Sequence, residues 1–317
     1  MAAPSQDQEG GEFYLSDLSP SDKPWDAHRA SAEQVQGLYD TSEFSNYFRR
    51  IRECSRQLEF AFKANDDGEL KLRLQRAHFC RLRWCPVCQW RRSLMWRAKF
   101  FQVIPEIVND YPNARFVFLT LTVKNCLPDE LRDTLTLMNK SWVRLTQRKL
   151  FPAIGWVKAV EVTRKSSDGT AHPHFHCLLM VSSGYFGGTR YINQTQWTEM
   201  WKSCLRVEYT PIVNVKAVKP KKGADPASAL PIAICETLKY SVKEGDLIAD
   251  QDWLHELTRQ LHKTRAIAVG GVFKAYLSED EPEDLINTDL EEDEPTSEDG
   301  PRVTFGWREM VKRYQKQ

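Results

Sequence analysis

The sequence predicts an α+β fold in which antiparallel strands alternate with helices. Two strand patterns, at residues 156–164 and 171–181, flank the polar turn 165–170, which is typical of an antiparallel hairpin. A third strand is predicted at 114–123 from its β-branched and aromatic residues. Apolar residues at helical spacing over 89–109 and 131–145 predict the helices.

The chain of 317 residues is long enough for one large core or two smaller ones. Its composition changes along its length. We predict a flexible N-terminal arm at 1–40, a zinc-binding basic segment at 41–110, a main domain at 111–278, an acidic linker at 279–300 and a C-terminal segment at 301–317.

The net charge of +1 conceals an uneven distribution of charge. Residues 279–300 hold twelve acidic side chains and no Lys or Arg, so 44 basic and 31 acidic side chains remain elsewhere, a net +13. A basic body suggests a surface for a polyanion, with which the acidic segment would compete. The alternative is an acidic linker that is only solvated.

Neither a membrane span nor a secretory signal is predicted. No apolar run approaches the length that crosses a bilayer, and the N-terminus is polar rather than basic and then apolar. We therefore expect a cytoplasmic protein with no membrane partner.

Three of the seven histidines, His172, His174 and His176, occupy alternate positions immediately before an apolar run. Alternate side chains of a strand project from one face, so the three imidazoles are expected to lie together. Pro173 suits the start of a strand and leaves His172 at the mouth of the preceding turn. We predict His174 and His176 as ligands of a divalent ion. The alternative is that these histidines only face solvent or satisfy a hydrogen bond.

The hairpin suggests a third ligand. If its turn is symmetric about Ser167 and Asp168, Glu161 falls opposite His174, where cross-strand side chains share a face. Glu161 would complete a set of two histidines and one carboxylate, with open positions for water or a phosphate oxygen. A register shift of one residue would turn Glu161 away.

The cysteines Cys80, Cys85 and Cys88 are clustered, whereas the others are scattered. Cys85 and Cys88 form a C-x2-C knuckle, a spacing that lets two thiolates reach one tetrahedral zinc, and Cys80 is close enough to be a third ligand. The fourth ligand is Cys54 or His78. Cys54 is favoured because it precedes a predicted hairpin at 57–74. We expect a structural Zn²⁺ here.

The knuckle is surrounded by guanidinium groups and indoles. Guanidinium groups bind phosphates, and indoles either stack on bases or pack in a core. Trp90 follows the apolar side of the helical pattern and is assigned to the core. We predict that the following residues contact DNA: Arg81, Arg83, Arg91, Arg92 and, beside the metal ligands, His172.

A further pattern lies at 232–243, where apolar residues recur at every fourth position from 234 to 242. Glu236, Tyr240 and Lys243 stand at i, i+4 and i+7, so one helix would display them together. A phenol beside a carboxylate and an ammonium could act as a nucleophile with its base and a charge partner.

Three motifs occur in a fixed order: Phe118-Leu119-Thr120-Leu121-Thr122, then His172-Pro173-His174-Phe175-His176, then Glu236-Thr237-Leu238-Lys239-Tyr240-Ser241-Val242-Lys243. Together they resemble the plasmid rolling-circle replication initiators of the HUH endonuclease superfamily, over roughly residues 50–277. The cysteine block at 79–92 resembles the segment that precedes the catalytic domain in one branch of that family. A weaker similarity continues at Phe305-Gly306-Trp307.

The resemblance implies an HUH-type five-stranded antiparallel sheet flanked by helices, with the histidines on a central strand, and makes 111–278 the catalytic domain. It implies Mg²⁺ or Mn²⁺ acting on single-stranded or melted origin DNA. Tyr240 would attack, leaving a 5′-phosphotyrosine and a 3′-hydroxyl primer, and Glu236 would activate water at termination. A host helicase is a further expected partner. The alternatives are an HUH relaxase or transposase, or a non-catalytic zinc DNA-binding regulator.

Overall fold

The computed structural model describes residues 13–41, 43–64, 70–187, 190–219, 229–238, 242–277, 285–286 and 300–317. These residues form two compact units. The first unit contains the described residues up to 91 together with 285–286 and 300–317, and the second contains those from 92 to 277.

The predicted strands and helices are present with their ends shifted, and further elements precede and follow them. The helices are α1 (Leu15–Leu18), α2 (Pro24–Leu38), α3 (Ser45–Glu53), α4 (Pro86–Asp110), α5 (Leu131–Thr146), α6 (Gln194–Leu205), α7 (Ala229–Thr237), α8 (Glu244–Ile248) and α9 (Gln251–Gln260). The strands are β1 (Gln57–Ala64), β2 (Leu70–Ala77), β3 (Arg115–Thr122), β4 (Ala153–Arg164), β5 (Ala171–Val181), β6 (Val213–Ala217), β7 (Ile267–Gly271), β8 (Arg302–Arg308) and β9 (Arg313–Lys316).

The first unit contains a four-stranded antiparallel sheet in the order β2-β1-β8-β9. Its inner face buries Leu58, Phe60 and Phe305. The buried hydroxyl of Tyr314 donates to the carbonyl of Ser55 at 2.6 Å. The β1-β2 hairpin was predicted from the sequence but this sheet was not, because β8 and β1 are separated by almost the whole length of the chain.

The prediction of a flexible arm at 1–40 is wrong for residues 13–40, the part of this segment that the structure describes. Helix α2 buries Trp25, Ala32 and Val35. Arg29 on the same helix is fully buried, and its guanidinium donates to the carbonyl of Ile51 at 3.0 Å. The apolar residues of this polar segment are few, but helical spacing gathers them on one face, and that face packs in the core.

The predicted boundaries after residue 110 and at 301 also differ from the structure. The division between the units falls after Arg91, within α4, and the strands at 302–316 complete the sheet of the first unit. A continuous helical pattern carries no sign of where its packing partners change. The predicted acidic linker at 279–300 lies outside the described residues except for Leu285, Ile286 and Gly300.

The second unit contains the expected five-stranded antiparallel sheet, in the order β6-β3-β5-β4-β7. The histidine strand β5 is its central strand, as predicted. A strand with partners on both sides is held along its whole length by ladder hydrogen bonds, so its side chains have a fixed spacing.

Helices cover both faces of this sheet. On one face the ring of Phe175 lies 6.4 Å from that of Trp142 on α5 and 6.4 Å from that of Trp201 on α6. On the other face Leu178 of β5 belongs to a buried core with Ile234 and Leu238 of the α7 segment. Leu178 follows His176 by two residues, so α7 packs on the face that carries His174 and His176.

Within the described part of the chain, none of the helices combines the length and the apolar character that a bilayer span requires.

Candidate metal sites

The register of the central strands brings a carboxylate to two of the histidines. Glu161 of β4 is the cross-strand partner of His174 on β5, which is the register that the symmetric turn predicted. On the other side of β5, Thr122 pairs with His174 and Thr120 pairs with His176. Glu161, His174 and His176 therefore project from the same face of the sheet.

These three side chains converge on one point. The Nε2 atoms of His174 and His176 lie 3.2 Å and 2.7 Å from the same oxygen, Oε2 of Glu161. Ligands at adjacent octahedral positions around an ion with bonds near 2.1 Å are about 3 Å apart. The group could therefore hold a metal ion, and it offers one ligand atom from each residue within 4.8 Å of the others.

The second ring nitrogens of both histidines have partners of their own. Nδ1 of His174 lies 3.2 Å from the carbonyl of His172, and Nδ1 of His176 lies 3.4 Å from the hydroxyl of Thr120. A carbonyl only accepts, so the His174 Nδ1 carries the hydrogen, and Nε2 faces Glu161 as a donor when it is protonated and with a lone pair when it is not. A lone pair and a carboxylate oxygen at this distance repel each other unless a proton or a cation lies between them. The geometry suits a cation site.

Glu161 is ionised in this setting. Burial opposes its ionisation, but the hydrogen bonds with His174 and His176 more than offset burial and hold its pKa well below the usual range. An ionised carboxylate with two imidazoles is a donor set for Mg²⁺, Mn²⁺ or a related divalent ion.

His172 lies beside this group and not in it. Its Nδ1 is 2.8 Å from Oδ1 of Asn125, and its ring centroid is 5.3 Å from that of His174. Burial and the nearby His174 lower the pKa of His172. Asn125 was not predicted as a site residue, because it belongs to no motif in the sequence. Thr120 did lie in the first motif, although its contact with His176 was not foreseen.

The second candidate site is a cluster of four buried thiols: Cys54, Cys80, Cys85 and Cys88. The Sγ atom of Cys54 lies 3.6 Å from those of Cys85 and Cys88, and the Sγ of Cys80 lies 3.6 Å from that of Cys88. Tetrahedral zinc with bonds of about 2.3 Å would separate its sulfurs by about 3.8 Å. The cysteines are free thiols rather than disulfides. Cys54, and not His78, joins the other three.

The local backbone fits ligation by thiolates. Arg81 has a φ of 58°, and this turn lets its N–H donate to the Cys88 Sγ at 3.3 Å. The N–H of Cys80 donates to the Cys54 Sγ at 3.4 Å. Burial raises the pKa of the Cys80 and Cys85 thiols well above the usual value. Four thiols in contact within a core therefore ionise together only if a cation compensates their charge.

The basic residues predicted around the knuckle divide into two groups. Arg91 is 5% exposed and donates to the carbonyls of Leu285 at 2.8 Å and Ile286 at 2.5 Å, so its assignment to a DNA surface is wrong. It lies on the inner side of α4 and satisfies backbone acceptors. The other residues are exposed or half-buried: Arg81, Arg83 and Arg92. Trp90 packs edge-on against Trp25, 4.8 Å between ring centroids, in agreement with its core assignment.

The tyrosine motif is only partly described. Tyr240 lies outside the described residues, and Glu236 is half-buried on α7. Ile234, Leu238 and Val242 are buried, as predicted. The prediction that one helix displays Glu236, Tyr240 and Lys243 is wrong for Lys243. This residue has an extended backbone (φ −67°, ψ 142°) and caps α8. The acidic residues that follow favour the start of a new helix, so Lys243 does not share a helical face with Glu236.

The chain therefore has two candidate metal sites: two histidines and a carboxylate on the antiparallel sheet of the second unit, and four grouped thiols in the first unit. The Rep_1 family, described as "Replication protein", matches residues 71–315. This match spans most of the chain. The chain therefore belongs to the Rep_1 family of replication proteins.

Relatives agree with this assignment. "Protein rep" of Streptococcus pneumoniae serotype 2 (strain D39 / NCTC 7466) is 32% identical over 304 residues, covering 92% of this chain and 92% of the relative. "Protein rep" of Lactiplantibacillus plantarum is 36% identical over 251 residues, or 76% of this chain and 77% of the relative. "Replication protein" of Staphylococcus aureus is 35% identical over 227 residues, which cover 67% of this chain and 95% of the relative.

No solved structure matches the chain. The family assignment confirms the resemblance to plasmid rolling-circle replication initiators and supports a function in plasmid replication.

Proposed function

We propose that this replication protein is a metal-dependent nickase and strand-transferase that initiates rolling-circle replication at origin DNA. The observation that carries the proposal is the convergence of two imidazole nitrogens on one oxygen of Glu161. A divalent ion bound there would polarise the scissile phosphate and stabilise the charge that develops on its oxygens. Glu161, His174 and His176 would hold the ion and would leave positions open for a phosphate oxygen and water.

Tyr240 is the proposed nucleophile. Its hydroxyl oxygen would form a bond to phosphorus as the bond to the 3′ oxygen breaks, giving a 5′-phosphotyrosine and a 3′-hydroxyl primer. A phenol with a pKa near 10 is mostly protonated at neutral pH, so it requires a base or a cation to attack. Leu238 is buried in one core with Leu178 of the histidine strand, so Tyr240 follows by two residues a position that is anchored near the proposed metal site.

Glu236 is the proposed base for termination. Water activated by a carboxylate would release the enzyme from its phosphotyrosine, whereas a second tyrosine would pass the strand onward. Glu236 lies on α7, which packs on the histidine face. We expect Glu236→Gln to form the adduct and to release it slowly. Lys243 caps the following helix and does not share a helical face with Glu236, so it has no part in this proposal.

The test uses labelled single-stranded origin DNA with Mn²⁺ and detects the covalent adduct after denaturation. We expect the wild-type chain to form the adduct and Tyr240→Phe to form none. Tyr191→Phe is the matched control, because Tyr191 is an exposed tyrosine of the same unit. An adduct on Tyr240→Phe would remove Tyr240 from the mechanism. Tight binding of duplex DNA without cleavage of any substrate would favour the zinc-binding regulator.

We propose Zn²⁺ as the ion of the four-cysteine cluster. The sulfur separations of 3.6 Å and the two N–H···S hydrogen bonds support this assignment. Metal analysis of the purified protein should give one zinc equivalent, which Cys54→Ser would lose. His78→Asn is the control and should retain it. Zinc retained by Cys54→Ser and lost by His78→Asn would reverse the assignment of the fourth ligand.

A further inference from the structure

The four-stranded sheet of the first unit has one buried face and one polar face. On β1, Leu58 and Phe60 are 0% and 1% exposed, and the alternate residues Gln57 and Glu59 point the other way. Cross-strand partners share a face, so the register identifies the outward residues of the neighbouring strands.

The outward face is strongly basic. Lys71 lies directly opposite Lys63, and Arg76 lies opposite Glu59. Ala61 has Arg73 as its partner on β2 and Arg302 as its partner on β8. Among the described outward residues of β1, β2 and β8, Glu59 is the acidic one, and it pairs with Arg302 at 2.9 Å.

A surface with this excess of basic side chains attracts an anionic partner. Lys71, Arg76 and Arg302 are all exposed, so they are available to a ligand as large as a polymer.

The same face forms one side of a groove of about 650 Å³. Its lining has guanidinium groups, side-chain amides and an imidazole, from Arg56, Arg76, Arg308, Gln57, Gln317 and His78, together with the carboxylates of Glu53 and Glu59 and the indole of Trp307. The three guanidinium groups outnumber the two carboxylates, and guanidinium and amide N–H groups donate hydrogen bonds. The groove therefore suits phosphate oxygens better than an apolar ligand.

We propose that this outward sheet face binds the phosphate backbone of duplex DNA. The inference rests on the proposed function, because origin DNA supplies the polyanion, and it adds a contact that none of the metal ligands makes. At the outward positions of β1, β2 and β8 that the structure describes, no aromatic ring is presented. Single-stranded DNA is usually held by stacking on aromatic rings, so this face suits an intact duplex held through its phosphates.

The experiment measures the binding of a labelled duplex of unrelated sequence at a series of salt concentrations. The test variant combines Lys71→Gln, Arg76→Gln and Arg302→Gln. Each lost phosphate contact lowers the slope of log K against log salt by about 0.9. We expect the variant to bind more weakly and its slope to fall by about 2 to 3.

A matched control removes the same charge from the other unit. Lys140, Lys149 and Lys263 are exposed lysines there, and changing all three to Gln should leave the slope close to that of the wild type. Retained zinc and an unchanged thermal unfolding temperature would show that the test variant is folded. If it is not, the single Lys71→Gln change, with an expected slope change of about 0.9, serves in its place.

The outcomes separate this inference from the proposed function. A wild-type slope in the folded test variant would overturn the duplex face even if adducts form on single-stranded DNA. Loss of single-stranded binding with duplex binding intact would also overturn it. Failure of the wild type to form any Tyr240 adduct would refute the nicking mechanism, whereas a reduced duplex slope in the test variant would still support the sheet face.

Discussion

Lys158 of β4 carries a buried charge whose effect on stability can be calculated from its environment. It is 5% exposed, and its Nζ donates to Oδ1 of Asn139 at 2.5 Å and lies 4.1 Å from the centre of the Phe175 ring. Burial lowers its pKa from 10.5 to about 8. A shift of this size corresponds to about 3 kcal/mol between the charged and neutral forms.

The sign of the pH dependence follows from the pH at which the folded and the unfolded chain each lose the Lys158 proton. Below pH 8 Lys158 is charged in both the folded and the unfolded chain, so the whole cost of burying the charge is present. Between pH 8 and 10.5 the folded chain has released the proton and the unfolded chain has not, so stability rises with pH. At pH 9.5 about 1.5 kcal/mol of the cost remains.

The assay compares Lys158→Met with the wild type by urea unfolding at pH 7 and pH 9.5. The variant lacks the titrating group and loses the hydrogen bond to Asn139, whose amide lies near the surface. Its free energy of unfolding relative to the wild type should fall by about 1.5 to 2 kcal/mol between the two pH values. Burial raises the pKa of Cys177 far above this range, so that thiol does not contribute. Lys140→Met, on the surface of α5, should show no such change. A constant difference between Lys158→Met and wild type would refute the reasoning.

Three further outcomes are expected. Glu161→Gln removes the only charged ligand of the sheet site and should weaken Mn²⁺ binding by more than about 100-fold in calorimetry, because even indirect contacts to ligands are worth about 10- to 100-fold. Thr120→Val removes the partner of the His176 Nδ1 and should weaken Mn²⁺ binding by about 10-fold while leaving the zinc content unchanged. Gly271→Ala should destabilise the second unit by at least about 2 kcal/mol in thermal unfolding, because Gly271 has a φ of 60° and an added Cβ would lie 2.1 Å from the carbonyl oxygen of Ile154. Unchanged Mn²⁺ affinity in the first two variants, or an unchanged unfolding temperature in the third, would contradict them.

The sheet site could be predicted from the sequence because it depends on two short-range rules. Alternation places His174 and His176 on one face, and a short turn fixes the register that brings Glu161 opposite His174. The cysteine cluster was also accessible, since three of its thiols lie close in sequence. The sequence left Cys54 and His78 as alternatives for the fourth ligand, and the packing of the folded chain shows that Cys54 joins the cluster.

Long-range packing accounts for what the sequence did not reveal. Arg91 looks like its neighbours Arg81 and Arg92 in the sequence, and its burial depends on the carbonyl of Leu285, which is far away along the chain. The four-stranded sheet likewise depends on the pairing of Leu58 with Phe305. Local composition has no signal for either contact.

The two halves of the proposed active site are held by different means. His174 and His176 lie on a strand that is paired on both sides, with Thr122 and Thr120 on one side and with β4 on the other. That pairing fixes the ligands before any ion binds, as a preorganised site requires. Glu236, in contrast, lies near the end of α7, and Lys243 already belongs to the next helix. Changes in α7 should therefore alter nicking while metal affinity stays constant, and changes at Thr120 should alter both.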